Sequence, residues 1–344
     1  MKSIKDFNVE GKRVLVRCDF NVPIDENGAI LDDFRIKKTL PTITYLIDHN
    51  AKIILMSHLG EPEGKADPIL KLDKVKERLE ALLKKEVIKT DDCIGQKVEN
   101  TISTLNPGQM ILLENVRFHK GETENDPEFA KQLSQLGDLY INDAFGDCHR
   151  AHASMVGLPQ FLPSGAGLLL QSEIENLNKV LQNPKKPMVA IIGGIKVGTK
   201  AKFIENISQL ADAVLVSGLI KKELLNKHYN IIYNVIIGPE DHLDALDIDQ
   251  ATIEIFKEKI MAAKTVVWNG PLGKFEDEKY NNGTLQIAKA IVESGAFCVA
   301  GGGETIEFLN KEGMLDQFSH VSTGGGAMLD YLSGEKLPGI NALG

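Results

Sequence analysis

Short runs of apolar, β-branched residues alternate with amphipathic segments almost from one end of the chain to the other. This rhythm constrains the fold more than any other feature of the sequence. The runs are Arg13–Phe20, Lys52–Met56, Met110–Glu114, Leu139–Asn142, Met188–Ile192, Ala213–Val216, Ile231–Ile237, Thr265–Trp268 and Phe297–Ala300. Between them lie segments such as Leu72–Lys84, Pro127–Leu136, Ser172–Leu181 and Ile253–Ala262. In the first of these, Val75, Leu79, Leu82 and Leu83 recur at helical spacing while Lys and Glu fill the other face. Continuously apolar strands, each followed by a helix, predict parallel sheets covered on both faces. The expected fold class is therefore α/β, with doubly wound, Rossmann-like sheets.

A chain of 344 residues has material for two or three such domains at about 150 residues each. The rhythm breaks once, around 158–170, where Pro159, Pro163 and the small-residue run Ser164-Gly165-Ala166-Gly167 stand. A helical segment from about Gln171 to Gln182 follows, closed by Pro184 and Pro187. We read residues 1–170 as one domain and 171–329 as a second, joined by a helix with hinges at its ends.

Composition removes several function classes. Forty-eight acids against 39 bases give a net charge of −9, the opposite of the basic footprint of a nucleic-acid binder. Apolar runs such as Met188–Ile195 fall well short of the roughly 18 residues of a membrane span. Met1–Asp6 carries no apolar stretch like that of a secretion signal. Cys18, Cys93, Cys148 and Cys298 show no metal- or disulfide-type spacing. The expectation is a cytoplasmic protein with reduced thiols and no nucleic-acid or membrane partner.

In open α/β sheets ligands bind beyond the carboxyl ends of the strands. There the first half of the chain places Asp19 and Asn21, then Arg35 at a helix start, His58, Arg117, and His149-Arg150-Ala151-His152. Any one of these residues is accounted for by a salt bridge or a capping bond. Three arginines converging on one rim with an Asp/Asn pair suit a small polyanion, because Arg forms bidentate bonds to phosphate and carboxylate. Histidines at i and i+3 bracketing an arginine set a cation beside a cation, which argues against a metal there.

The second half differs. Gly193-Gly194-Ile195-Lys196-Val197-Gly198-Thr199-Lys200 nearly scans as a P-loop, but its order after Gly198 is Thr-Lys. An intact GxGxxG is absent too, which removes a dinucleotide oxidoreductase. Lys196 and Lys200 fall where a helix begins and oppose its dipole unless an anion bridges them. Two solvated lysines would account for that motif alone. Two further glycine loops, Gly301-Gly302-Gly303-Glu304-Thr305 and Ser322-Thr323-Gly324-Gly325-Gly326-Ala327, and the turn Trp268–Gly273, shift the reading to a phosphate site. No Ser–His–acid nucleophile stands out. A carboxylate or phosphate acceptor is itself an anionic nucleophile, so positioning and charge neutralisation would carry its chemistry.

These strings resemble one family closely, the phosphoglycerate kinases. The matches are Arg17-Cys18-Asp19-Phe20-Asn21-Val22-Pro23, Met56-Ser57-His58-Leu59-Gly60, Leu113-Glu114-Asn115-Val116-Arg117-Phe118 and Asn142-Asp143-Ala144-Phe145-Gly146. Further along come His149–Ser154, Thr265–Pro271 and Ser319–Ala327, all in the family's order. The resemblance implies reversible phosphoryl transfer between 1,3-bisphosphoglycerate and Mg-ADP, giving 3-phosphoglycerate and Mg-ATP in glycolysis. It implies a monomer whose N-terminal domain holds the glycerate and whose C-terminal domain holds the nucleotide, with hinge closure excluding water. By matching position, Asp19, Asn21, Arg35, His58, Arg117 and Arg150 would bind the glycerate, with Arg35 against the reacting carboxyl group. Lys196, Lys200, Gly324 and Gly325 would neutralise the transferring phosphate. Lys200, Asn269, Glu276, Gly302, Gly303, Glu304 and Thr305 would contact the nucleotide, Glu276 at the ribose. No dedicated protein metal site is implied; Mg²⁺ would ride on ATP or ADP, with Glu304 as the carboxylate nearest it. The segment around Leu337-Pro338-Gly339, within 330–344, resembles the tail that returns to the N-terminal domain.

The sequence also departs from the family's pattern. Glu61 stands where an arginine of the phosphate clamp is usual and Glu63 where a lysine is common, so Glu61 is expected to repel the glycerate phosphate, with Lys65 or Lys71 to compensate. Gly198-Thr199 replaces a small residue and an aspartate, Glu304 an aspartate, Asp249 a glycine, and Ser217–Ile220 a glycine-rich adenine-binding stretch. Between about 218 and 247 the chain lacks the material of at least one helix–strand unit. Two functions follow from these features. One is a working kinase with a trimmed nucleotide domain; the other is an impaired homologue with a binding or regulatory role or an altered nucleotide preference.

Overall fold

The computed structural model describes Met1–Gly344 except Lys196, Thr199 and His228. The described residues divide into two compact units, Met1–Glu173 with Lys336–Gly344, and Ile174–Glu335. Each is built on a six-stranded sheet whose pairings are all parallel.

In the first unit the strands are β1 (Arg13–Cys18), β2 (Lys52–Met56), β3 (Ile88–Lys89), β4 (Met110–Leu112), β5 (Leu139–Asp143) and β6 (Ser164–Ala166), in the order β3-β4-β2-β1-β5-β6. In the second they are β7 (Met188–Ile192), β8 (Ala213–Val216), β9 (Ile236–Ile237), β10 (Thr265–Asn269), β11 (Phe297–Gly301) and β12 (His320–Val321), in the order β12-β11-β10-β7-β8-β9. Each chain path starts mid-sheet, winds to one edge and returns to fill the other side. The strand order therefore reverses between β1 and β5 in one sheet and between β7 and β10 in the other. Loops leave those neighbouring strands in opposite directions and open a crevice at their carboxyl ends.

The central strands are apolar throughout because both faces are covered: Val14, Leu15 and Val16 of β1 and Val266, Val267 and Trp268 of β10 are fully buried. Burying a Leu- or Phe-sized side chain contributes about 1.5–3 kcal/mol. The indole of Trp268 leans on Phe318 with ring centroids 5.9 Å apart and donates to the Gly270 carbonyl at 2.8 Å. The core therefore also fixes the turn that leads into the candidate site.

Three expectations change. The small-residue run read as a break in the rhythm holds a strand, because Ser164–Ala166 forms the edge strand β6 against β5. Gly165 permits this, since a Cβ there would lie 2.6 Å from the Phe7 ring. Of the run 231–237 only Ile236–Ile237 pairs with β8, after a 3-10 turn at Tyr233–Val235. The two units divide at Glu173/Ile174, inside the helix Leu168–Leu181 and three residues beyond the 170 read from the sequence. The second unit runs on to Glu335, beyond 329, and the segment that lies with the first unit starts at Lys336. There the Gly339 N–H donates to the Cys148 carbonyl at 2.9 Å, and the Asn142 amide donates to the Gly339 carbonyl at 3.2 Å.

Candidate active site

At the carboxyl ends of β1, β2, β4 and β5 the side chains form a chain of alternating charges. Arg17, the fifth residue of β1, is fully buried and donates to Asp147 Oδ2 at 3.0 Å and, through Nε, to Ser154 Oγ at 2.8 Å. Its Nη1 bonds the Cys18 carbonyl. His58 Nδ1 lies 3.2 Å from the same Asp147 oxygen, and Arg117 Nη2 reaches Asp147 Oδ1 at 3.5 Å. Burial works against the ionised Asp147, but His58, Arg17 and Arg117 hold its carboxyl well below the usual carboxylate range. Arg117 Nη1 in turn donates to Glu61 Oε1 at 2.7 Å and to the Gly60 carbonyl at 3.1 Å, and Arg150 Nη1 donates to the same Glu61 oxygen at 3.1 Å.

Arg35 sits beside this chain at the start of the helix Phe34–Asp48, and its Nη1 donates to Asp19 at 3.2 Å and to the Asn21 carbonyl at 2.9 Å. Asn21 Oδ1 accepts the Gly60 N–H at 2.9 Å, which ties the loop after β1 to the loop after β2. Asp19, Asn21, Arg35, His58, Arg117 and Arg150 are thus gathered in one region of the first unit. Buried there without a hydrogen-bond partner are Arg117 Nε and the Nδ1 atoms of His149 and His152. Arg117 Nε, a buried donor without a hydrogen-bond partner, fits a site completed by an anion. Burial, then Arg117, pushes the His152 imidazole down to about 4, so it is neutral at pH 7.

Glu61 does not stand as a bare repulsive charge, and what meets it is Arg117 and Arg150 rather than Lys65 or Lys71. Partial burial raises its pKa, yet the two arginines outweigh this and hold it below the ordinary value. Sequence reasoning assigned no role to Asp147, Ser154 or Glu122, whose carboxylate accepts Ser154 Oγ at 2.6 Å and its N–H at 2.9 Å. One signal was available: Arg17 follows the apolar run Val14–Val16 within a strand, and a charge buried there demands a counter-charge.

In the second unit the crevice lies between β7 and β10. Gly193 N–H donates to the Asn269 carbonyl at 3.0 Å and Gly194 N–H to the Pro271 carbonyl at 2.8 Å. A Cβ on Gly193 would sit 1.9 Å from the Pro271 oxygen, so the turn admits only glycine. Lys200, the residue before the helix Ala201–Leu210, turns its ammonium to the Gly193 carbonyl at 2.6 Å. Burial lowers its pKa to about 8, against the opposing pull of Glu304. Lys196 lies outside the described residues.

A cleft beside these turns is lined by Gly194, Ser217, Gly218, Leu219, Leu246, Leu272, Phe275, Glu276 and Glu304, among others. It brings Glu276 and Glu304 together with Gly194. Glu304 is an exposed carboxylate in the first turn of the helix Gly303–Lys311, a hard oxygen donor of the kind Mg²⁺ accepts. Gly302, at φ 104°, and Gly325, at the start of the helix Gly325–Leu332, pack together: a Cβ on Gly325 would lie 3.1 Å from Gly302 Cα. Asn269 and Thr305 work inside the scaffold. The Asn269 amide donates to the Gly301 carbonyl at 2.9 Å, and Thr305 Oγ1 accepts the Gly270 N–H at 2.8 Å. Asp249, the departure from glycine, caps the helix Gln250–Ala262 by accepting the Thr252 N–H at 2.7 Å.

A cationic rim for a small polyanion in one α/β unit and a cleft framed by glycine turns and a buried lysine in the other are what a phosphotransferase with two substrates requires. That is the class of protein that fold and site define. The profile described as phosphoglycerate kinase matches residues 4–238 and 227–335, and the chain belongs to that family. It is 43% identical to the phosphoglycerate kinase of Dictyoglomus turgidum over 387 aligned positions, covering 99% of this chain and 97% of that protein. With the phosphoglycerate kinase of Aquifex aeolicus it is 41% identical, covering 98% and 96%. Among solved structures, the phosphoglycerate kinase of Pyrococcus horikoshii OT3 superposes with a TM-score of 0.90 at 33% identity, covering 100% of this chain and 98% of that one. The enzyme of Coxiella burnetii gives 0.82 at 36%, covering 99% and 98%.

A chain of 344 residues spread over 387 aligned positions lacks residues that its relatives carry. The profile match breaks near 227–238, within the stretch read from the sequence as shortened. Among the described residues, no helix is long and apolar enough to cross a membrane.

Proposed function

We propose that the chain is a phosphoglycerate kinase, transferring a phosphoryl group reversibly between the carboxyl group of 1,3-bisphosphoglycerate and Mg-ADP, with 3-phosphoglycerate and Mg-ATP as products. The single observation that carries this reading is the charge chain of Arg17, Asp147, Arg117 and Arg150 beside Arg35. Within it, Arg117 Nε is a buried donor without a hydrogen-bond partner, as a site for an anion would have. Arg117 and Arg150 would take the phosphate of the glycerate, and Arg35, held at Asp19, would take its carboxyl group. That carboxylate is already a nucleophile, so the protein's part is to position it and to balance charge.

On the nucleotide side the cleft at Gly194, Leu219, Leu246 and Phe275 would take the base and ribose, with Glu276 at its rim. Lys200 and the helix start at Gly325, after Gly324, would meet the phosphates. Mg²⁺ would enter with the nucleotide and neutralise phosphate charge, and Glu304 is the protein carboxylate that fits it. Both half-sites belong to one chain, which suits a monomer, and four unpaired cysteines suit the cytoplasm. The test is a coupled assay of 3-phosphoglycerate phosphorylation with Mg²⁺ and ATP, GTP or other nucleoside triphosphates. Turnover with at least one nucleotide is expected; none, from folded protein, would reject the reading.

A further inference from the structure

Arg117 carries two carboxylates that differ in every respect relevant to ligand exchange. Asp147 is buried, and Arg17, His58 and Arg117 all hold it. Glu61 is 62% exposed, and one of its oxygens sits between two guanidinium groups, 2.7 Å from Arg117 Nη1 and 3.1 Å from Arg150 Nη1. A carboxylate oxygen seated on a pair of arginines has the charge and the contacts of a bound anion.

The backbone under Glu61 is tied down on both sides, whereas its side chain faces solvent. Gly60 is held on both sides, its N–H by Asn21 Oδ1 at 2.9 Å and its carbonyl by Arg117 at 3.1 Å. Beyond the glutamate, the Gly64 N–H donates to the Arg117 carbonyl at 3.2 Å and the Lys65 N–H to the Pro62 carbonyl at 3.1 Å. A rotamer change therefore suffices to swing the carboxylate into solvent, with no loop to rearrange.

We propose that Glu61 is an internal stand-in for the substrate's phosphate: it occupies Arg117 and Arg150 in the unliganded protein and must be displaced for phosphorylated acids to bind. This inference rests on the site reading above and adds an internal competitor to it. Tethering gives the internal carboxylate an effective concentration of millimolar order or more. A free monocarboxylate brings the same charge and no such advantage, so it fails to displace Glu61. A phosphate dianion brings more charge and more acceptor oxygens. Glu61 therefore lowers the affinity of every anion that must displace it by one common factor, so weakly held anions are the first to lose the two arginines.

The test is calorimetric titration of wild type, Glu61→Gln and Glu61→Ala with 3-phosphoglycerate, inorganic phosphate and D-glycerate, alongside the KM for 3-phosphoglycerate. Removing the carboxylate is expected to tighten phosphoglycerate and phosphate by about fivefold or more, equivalent to about 1 kcal/mol. D-glycerate, which has no phosphate to place on Arg117 and Arg150, should not gain, and the KM for 3-phosphoglycerate should fall in step. Unchanged or weaker binding of phosphoglycerate and phosphate in both variants would overturn the inference, because a glutamate that only supported the loop would never oppose binding. Binding of inorganic phosphate needs no turnover, so an inactive wild type with tighter phosphate binding in the variants would reject the kinase reading and leave Glu61's role standing. A turning-over enzyme with unaltered binding in the variants would do the reverse.

Discussion

Asp147 faces Arg17, His58 and Arg117 at once, and Asp147→Ala exposes what depends on it. The substitution removes the acceptor for Arg17 at 3.0 Å and Arg117 at 3.5 Å and the neighbour of His58 at 3.2 Å. Arg17 and Arg117 are 0% and 1% exposed, so water cannot take over the missing role. Stripping one partner from a buried ion pair costs about 3–5 kcal/mol, because the remaining charge stays desolvated and uncompensated. For a unit of this size, with about 2–4 °C lost per kcal/mol, its melting temperature falls by roughly 6–20 °C. Asp147→Asn keeps shape and one acceptor but loses the charge, and should cost about 1.5–3 kcal/mol.

Trp268 is the chain's only tryptophan and lies in the second unit. Urea unfolding followed by its fluorescence therefore reports that unit, while far-ultraviolet circular dichroism reports both. The dichroism transition should split, its first phase moving to lower urea while the fluorescence midpoint holds. The carboxyl titrates well below the usual range in the fold, so its contribution is present above the ordinary carboxylate pKa and lost only as pH falls through the depressed value. The gap between wild type and Asp147→Asn should therefore persist from neutral pH into mild acid. A loss below about 1 kcal/mol for the alanine variant would refute the claim that the two arginines depend on this counter-charge.

Lys200, lowered to about 8 by burial, should take up a proton when polyphosphate arrives at pH 8.5. Titration of ATP in buffers of different ionisation enthalpy should show net proton uptake, and none would mean the nucleotide phosphates do not reach it. Gly193→Ala forces a Cβ to 1.9 Å from the Pro271 carbonyl and should destabilise the second unit by about 1–3 kcal/mol or more, read as a lower Trp268 fluorescence midpoint. His152 is pushed down to about 4 in the fold, while an unfolded histidine titrates near about 6.5. The unfolded state therefore binds the extra proton in that window, and stability falls as pH drops from about 6.5 to about 4. His152→Gln should flatten this slope in the urea midpoint of the first unit. Asp143 has the opposite sign: burial raises it to about 7, so its cost grows as pH rises from about 4 to about 7, and Asp143→Asn should remove that rise.

Strands covered on both faces were legible because burial leaves no polar alternation to confuse: Val14–Val16 and Val189–Ile192 read as strands and are strands. Ser164–Ala166 was not, since small residues carry no β signal and the strand exists because Gly165 admits Phe7. The run ending at Ile237 misled in the other direction, because its early residues turn outward with Tyr233 exposed and only its last two find a partner strand. The arginines of the site announced themselves at strand ends. Asp147, an acid in a turn, did not, because a solvated carboxylate and a buried counter-ion look alike in sequence. Asn269 and Thr305 show the same ambiguity: their polar atoms hold Gly301 and Gly270, and residue type does not distinguish bracing a backbone from touching a ligand.

The central claim is that a carboxyl group accepts the phosphoryl. The most direct measurement traps the resulting acyl phosphate with hydroxylamine during incubation of the protein with 3-phosphoglycerate, Mg²⁺ and ATP. Attack by the amine on the acyl carbon expels phosphate and leaves a hydroxamate. Hydroxamate formed one for one with ADP, and abolished when 3-phosphoglycerate is omitted, is the predicted result. ADP released without hydroxamate, with water as the phosphoryl acceptor, would contradict it.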